Sequence, residues 1–151
     1  MHIAISNDIV DLSSENHTEE LALKIQKKLS LGSVVFIYGE MGVGKTTFVK
    51  YLINSLQKKN KLKQTEVTSP TFNILNEYQI NQIKINHYDL FRLKSSKELK
   101  NLGLFEDISK AITLIEWPEL IKEKPKNLIE LKFKYEDDHK KRSVQINGLN
   151  F

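Results

Sequence analysis

The stretch Gly39-Glu40-Met41-Gly42-Val43-Gly44-Lys45-Thr46 has the residue types and spacing of a phosphate-binding loop: a glycine, four residues of free choice, then glycine, lysine and a hydroxyl residue. Gly39 and Gly44 permit a tight turn, and Gly42 lets the backbone pass close to a phosphate with no side chain between. Successive backbone N–H groups at a helix start then form a nest for an anion. Lys45 is placed to reach the β- and γ-phosphates of a nucleotide, and the Thr46 hydroxyl to bind Mg²⁺. Glu40, Met41, Val43 and Thr47 complete the loop and its exit into the helix, and are read with it as nucleotide-binding positions.

Such a loop needs an acid at the end of a neighbouring buried strand, to hold the metal or its water. Ile112-Thr113-Leu114-Ile115-Glu116 reads as an apolar strand delivering Glu116 at its C-terminal end, where ligands bind in open α/β sheets. Asp89 ends the Ile83, Ile85, His87 face of another strand. Each acid also has a plainer reading, as a surface carboxylate or a helix cap. Thr68-Ser69-Pro70-Thr71-Phe72 is rich in hydroxyls and stiffened by proline, which suits a switch-like segment touching the γ-phosphate or orienting water. An ordinary turn into a strand is the alternative. His87 serves a proton or is structural; Trp117 walls the site or packs in the core. Arg92, close to Asp89, is a candidate arginine finger in cis or the ion-pair partner of an acid.

The elements that must position these residues follow from periodicity. Val34–Tyr38 is a continuous apolar run, as in a buried parallel strand. Behind the loop, Phe48, Val49, Leu52, Ile53 and Leu56 recur at helical spacing. Upstream, the sequence predicts a short strand over His2–Ser6. A capping box of Asn16 and Glu19 then opens a helix through Leu29, with Leu21, Ile25 and Leu29 buried. Downstream, Phe72–Ile80 and Ile83–Asp89 read as strands around the turn Asn81-Gln82. A hairpin there, where an all-parallel fold has a helix, makes the sheet mixed. A helix over Leu99–Ile108 interrupted at Gly103, a strand over Ala111–Ile115 and a short helix opened by Pro118 come next. The tail alternates as a second antiparallel hairpin, Leu128–Tyr135 and Arg142–Ile146, around Asp137-Asp138-His139. The expected fold class is α/β: a P-loop NTPase-like three-layer fold with a mixed parallel and antiparallel central sheet, in one domain over residues 1–151.

Composition narrows the function. With 151 residues, 40% of them apolar, the chain supports one full-sized core. No apolar run approaches the roughly 20 residues of a bilayer span, and the start lacks the basic and long apolar regions of a secretion signal. There is no cysteine, hence no disulfide framework, thiolate zinc site or cysteine catalysis. A cytoplasmic protein without membrane partners is expected. The net charge of +4 is short of that of an obligate nucleic-acid binder. Lysine supplies nearly all the positive charge; Arg92 and Arg142 are the only arginines, whereas small phosphotransfer kinases clamp phosphates with several. The clusters Lys58-Lys59-Asn60-Lys61 and His139-Lys140-Lys141-Arg142 read as solvated turns, with RNA contact as the sharper alternative. Asn60-Lys61-Leu62-Lys63 comes nearest to a guanine-selecting loop but ends in lysine, so adenine is favoured.

Four blocks in this order resemble the TsaE (YjeE) ATPases of bacterial tRNA threonylcarbamoyladenosine biosynthesis: Gly39 to Phe48, Thr68 to Phe72, His87-Tyr88-Asp89-Leu90-Phe91-Arg92, and Leu114-Ile115-Glu116-Trp117-Pro118-Glu119. The resemblance covers about residues 12 to 120. It implies a cytoplasmic ATPase that uses ATP and Mg²⁺. It also implies that the protein binds a TsaB–TsaD complex and meets tRNA indirectly, through that complex. That complex transfers threonylcarbamoyl to the adenosine next to the anticodon. By matching position, Lys45 grips phosphate and Thr46 and Glu116 bind Mg²⁺. Asp89 assists hydrolysis or the metal shell, and Thr68 with Ser69-Pro70 belongs to the loop near the γ-phosphate. Phe91 stands where tyrosine is common, Glu40-Met41 where Asp-Leu is common, and the C-terminal hairpin matches only loosely. Two other classes compete. One is a small-molecule phosphotransferase with a lid at Leu99–Ser109, the other a nucleotide-gated scaffold that does not hydrolyse.

Overall fold

The alternating and apolar runs assemble in the computed structural model, which describes residues 5–6, 9–70 and 72–149, into one sheet. Its strands are β1 (Ile5–Ser6), β2 (Ile9–Asp11), β3 (Val34–Tyr38), β4 (Leu75–Ile80), β5 (Ile83–Asp89), β6 (Ile112–Glu116), β7 (Leu128–Glu136) and β8 (Lys141–Asn147). Helices α1 (Glu15–Gln26), α2 (Lys45–Lys59) and α3 (Ser96–Leu102) connect them, with single 3₁₀ turns at Ile108–Lys110 and Pro118–Leu120. The spatial order is β1-β2-β8-β7-β3-β6-β5-β4. At the centre β7, β3, β6 and β5 run parallel. β4 is added antiparallel to β5 at one edge, and β8, β2 and β1 are added antiparallel at the other.

The parallel strands are covered on both faces, which is why β3 and β6 are apolar almost throughout. On one face α1 and α2 bring Leu21, Ile25, Phe48, Leu52 and Ile53 onto Val35, Ile37, Ile85, Leu114 and Leu131. On the other, Leu104 and Ile121 meet Val34, Phe36, Tyr88 and Ile115, with Leu99 and Leu102 of α3 leaning on the cluster. The result is the expected three-layer α/β fold with a mixed sheet.

Several boundaries differ from the sequence expectation for local reasons. Residues 2–4 of the expected first strand lie outside the described residues, and β2 was not anticipated. The N-cap of α1 is Ser14, whose side chain accepts the Asn16 N–H, so Asn16 lies inside the helix; α1 stops at Gln26 and leaves Leu29 packed beyond its end. β4 begins at Leu75 instead of Phe72, because Ile74 takes φ 66° and its N–H donates to the Pro70 carbonyl at 3.0 Å, closing a turn. α3 is ended by Gly103 at φ 60°, a left-handed C-cap that suits glycine, so no helix continues to Ile108. Among the described residues no helix is long and apolar enough to cross a membrane.

Candidate functional site

β3 runs directly into the glycine loop. Gly39 has φ +145°, and a Cβ there would stand 2.8 Å from Val43 Cγ1 and 3.0 Å from Phe133 Cβ. Only glycine fits this turn without displacing packed neighbours. α2 begins at Lys45, with Gly44 as its N-cap, so the free N–H groups of its first turn face the loop. Lys45 is only 5% exposed. Its ammonium donates to the Gly39 carbonyl and lies 3.8 Å from the centroid of the Trp117 ring. Burial lowers its pKa below the usual lysine value, against the pull of the Glu116, Asp89 and Glu119 carboxylates.

Two strands deliver the acids. The β5–β6 register pairs Asp89 with Glu116 at their C-terminal ends. The alternation that turns Ile85 and Leu114 towards α1 and α2 turns His87, Asp89 and Glu116 the same way. Glu116 is 2% exposed, and the Thr46 hydroxyl lies 3.3 Å from its Oε1. His87, fully buried, places Nε2 2.6 Å from Glu116 Oε2. Asp89 accepts from the Ser69 hydroxyl at 2.6 Å and from the Phe91 N–H at 3.0 Å, which ties the hydroxyl-rich loop to β5.

The remaining sequence-derived positions divide. Val43 is buried against the core, and Met41 is exposed. Glu40 approaches His139 at 3.9 Å. Thr47 is half-buried in the first turn of α2. Thr68 is exposed, its carbonyl accepting from the Asn76 amide at 3.2 Å; Thr71 lies outside the described residues. Arg92 stacks its guanidinium on Phe72, 4.6 Å from the ring centroid, and Phe91 packs on Trp117 with centroids 4.8 Å apart.

Sequence reasoning missed the part played by the C-terminal hairpin. A Cβ on Gly42 would stand 3.2 Å from the Tyr135 hydroxyl, and one on Gly44 3.6 Å from Arg142 Nη1. His139 packs on Tyr135 with ring centroids 4.3 Å apart, and the Arg142 guanidinium lies 5.7 Å from the Tyr135 ring. Two aromatic rings and a guanidinium therefore stand beside the loop, contributed by β7, β8 and their turn. The available signal was Arg142 itself, one of two arginines in a lysine-rich chain.

The oxygens of Thr46 and Glu116 suit Mg²⁺, which takes one or two protein ligands and completes its shell with phosphate and water. Among the described residues no three His, Cys, Asp or Glu side chains are grouped so as to hold a metal ion by themselves.

A parallel strand ending in a glycine loop, a helix starting there, and an acid from the next strand facing that helix's hydroxyl define an α/β protein of the P-loop type. The family model described as "Threonylcarbamoyl adenosine biosynthesis protein TsaE" matches residues 12–144, and the chain belongs to this family. It is 41% identical over 131 residues to the "tRNA threonylcarbamoyladenosine biosynthesis protein TsaE" of Rickettsia bellii, covering 86% of this chain and 88% of that one. The protein of the same description from Aquifex aeolicus is 37% identical over 91% of this chain and 93% of its own. Among solved structures, the crystal structure of Bacillus subtilis YdiB superposes with a TM-score of 0.67 at 20% identity, covering 97% of this chain and 86% of that one, and shares the fold.

Proposed function

We propose that this chain binds and hydrolyses Mg²⁺–ATP at the loop Gly39–Thr46, and that the cycle supports threonylcarbamoyl transfer to the adenosine beside the tRNA anticodon by a TsaB–TsaD complex. The observation that carries the chemistry is the convergence of Lys45, Thr46, Asp89 and Glu116 at one end of β3, β5 and β6, in a chain of the TsaE family. The loop N–H groups and Lys45 bind the phosphates; Thr46 and Glu116 hold the metal. Mg²⁺, when bound, neutralises charge developing on the transferred phosphoryl group. Asp89, whose carboxylate accepts from the Ser69 hydroxyl and the Phe91 N–H, ties Ser69 to β5 and would orient the attacking water. The lid of a phosphotransferase is not favoured, since the segment after Leu99 packs on the far face of the sheet through Leu104.

Hydrolysis by the isolated chain is slow in this account. Arg92 rests on Phe72, and Arg142 is the one arginine brought to the loop, so the transition-state charge is sparsely compensated. A missing arginine finger costs about 10³ or more in rate. Steady-state ATP turnover with and without TsaB–TsaD, at saturating ATP and fixed salt, tests the proposal: stimulation by the complex is expected. A fast isolated enzyme indifferent to the complex contradicts it.

A further inference from the structure

His87 is the most completely enclosed polar side chain near the loop. It is 0% exposed, on the face of β5 that packs beneath α1 and α2. Diagonally across the β5–β6 pair, its Nε2 approaches Glu116 Oε2 to 2.6 Å, while the other nitrogen, Nδ1, makes no hydrogen bond. A carboxylate only accepts, so the hydrogen of this contact is on Nε2. For the core alone this arrangement is a loss. An imidazole with one ring nitrogen buried and unpartnered is disfavoured relative to an apolar side chain of similar size. Its one polar bond goes to Glu116.

Glu116 requires such a bond. Its contacts with the Thr46 hydroxyl, 3.3 Å from Oε1 and 3.5 Å from Oε2, are too long to fix a carboxylate rotamer, and Thr46 sits on a different element. We infer that His87 is a positioning residue. By donating from Nε2 to Glu116 Oε2, it locks the carboxylate with Oε1 towards Thr46, and so sets the affinity of the site for its divalent cation. This rests on the metal role proposed for Glu116. The imidazole touches neither nucleotide nor metal and acts only through the carboxylate. Partners that orient a metal-binding carboxylate in this way are worth about 10- to 100-fold in metal affinity.

The test compares His87→Gln, whose amide nitrogen reaches the place of Nε2 and keeps a donor, with His87→Met, of similar length but without one. Met adapts readily to a buried site, so the second variant is expected to fold. Mg²⁺ is titrated into each protein held with a saturating non-hydrolysable ATP analogue. The fluorescence of Trp117, the single tryptophan and a direct neighbour of Lys45, reports occupancy. Analogue affinity in EDTA and the melting temperature are measured alongside. His87→Met should raise the Mg²⁺ midpoint about tenfold or more, His87→Gln should stay near the wild type, and affinity in EDTA should be unchanged in both. A folded His87→Met protein with the wild-type Mg²⁺ midpoint overturns the inference. So does a glutamine variant shifted as far as methionine. A wild-type protein indifferent to Mg²⁺ removes the metal role of Glu116 and this inference with it, whereas an unshifted methionine variant in a Mg²⁺-dependent background removes only the role of His87.

Discussion

Replacing Lys45 by methionine isolates what its charge does. The side chain is 5% exposed, so alanine would open a void where four methylenes pack, while methionine fills most of that space. Two opposing effects act on stability. The substitution loses the bond to the Gly39 carbonyl and the cation–π contact with Trp117, about 1–2 kcal/mol for the contact when desolvated. It also leaves Glu116 and Asp89 with one fewer positive neighbour, a further loss; against these it removes the desolvation cost of the buried ammonium, which lowers the Lys45 pKa. These terms largely offset, and the melting temperature should move little. Nucleotide binding has no such offset. A hydrogen bond to a charged phosphate contributes about 1.5–3 kcal/mol, which is roughly 10- to 100-fold in Kd. Equilibrium binding of ATP to both proteins, with thermal unfolding as the control for folding, reads the effect. A folded Lys45→Met protein with undiminished ATP affinity would refute the placement of phosphate on this loop.

For Glu116→Gln, turnover should fall by a larger factor than ATP affinity, because a metal-side carboxylate matters most where charge develops; single-turnover rates set against Kd make the comparison, and equal losses count against it. Gly39→Ala forces a Cβ within 2.8 Å of Val43 Cγ1 at a φ of +145°, and should cost about 1–3 kcal/mol, seen as an earlier denaturation midpoint. The Tyr51 hydroxyl donates to Glu15 at 2.6 Å across α1 and α2, and that bond pushes its pKa up to about 12. A raised tyrosine stabilises the fold below its ordinary value of 10.0 and loses that contribution as pH climbs through the raised one. Glu15→Gln should bring the titration down towards the ordinary value in alkaline ultraviolet spectra; an unmoved transition would dismiss the contact.

The site was legible where its chemistry is local. A loop whose turn needs glycine, a lysine at the helix start and an acid at the end of an apolar strand each leave a mark within a few residues, so Lys45, Thr46, Asp89 and Glu116 stand out as candidates, and the fold brings them together. The central strands were legible because burial on both faces makes them continuously apolar. What escaped depends on distant contacts. Nothing around Tyr135 or Arg142 says that β7 and β8 bring them beside Gly42 and Gly44, nearly a hundred residues earlier. His87 reads as a proton carrier or a structural strand residue, and only the β5–β6 register sets it diagonally across from Glu116. The turn at Ile74 was missed because the apolar residues Phe72, Ile74 and Leu75 fit a strand as well as they fit a loop, and only the bond to Pro70 decides.

Reconstituted tRNA modification tests the central claim most directly. TsaB–TsaD is supplied in amounts well below tRNA, and threonylcarbamoyladenosine is counted per complex over time, with this protein, without it, and with its Glu116→Gln variant. The account predicts repeated rounds of modification with the wild-type protein and ATP, and an early stop without it or with the variant. Equal yields in all three reactions would contradict it.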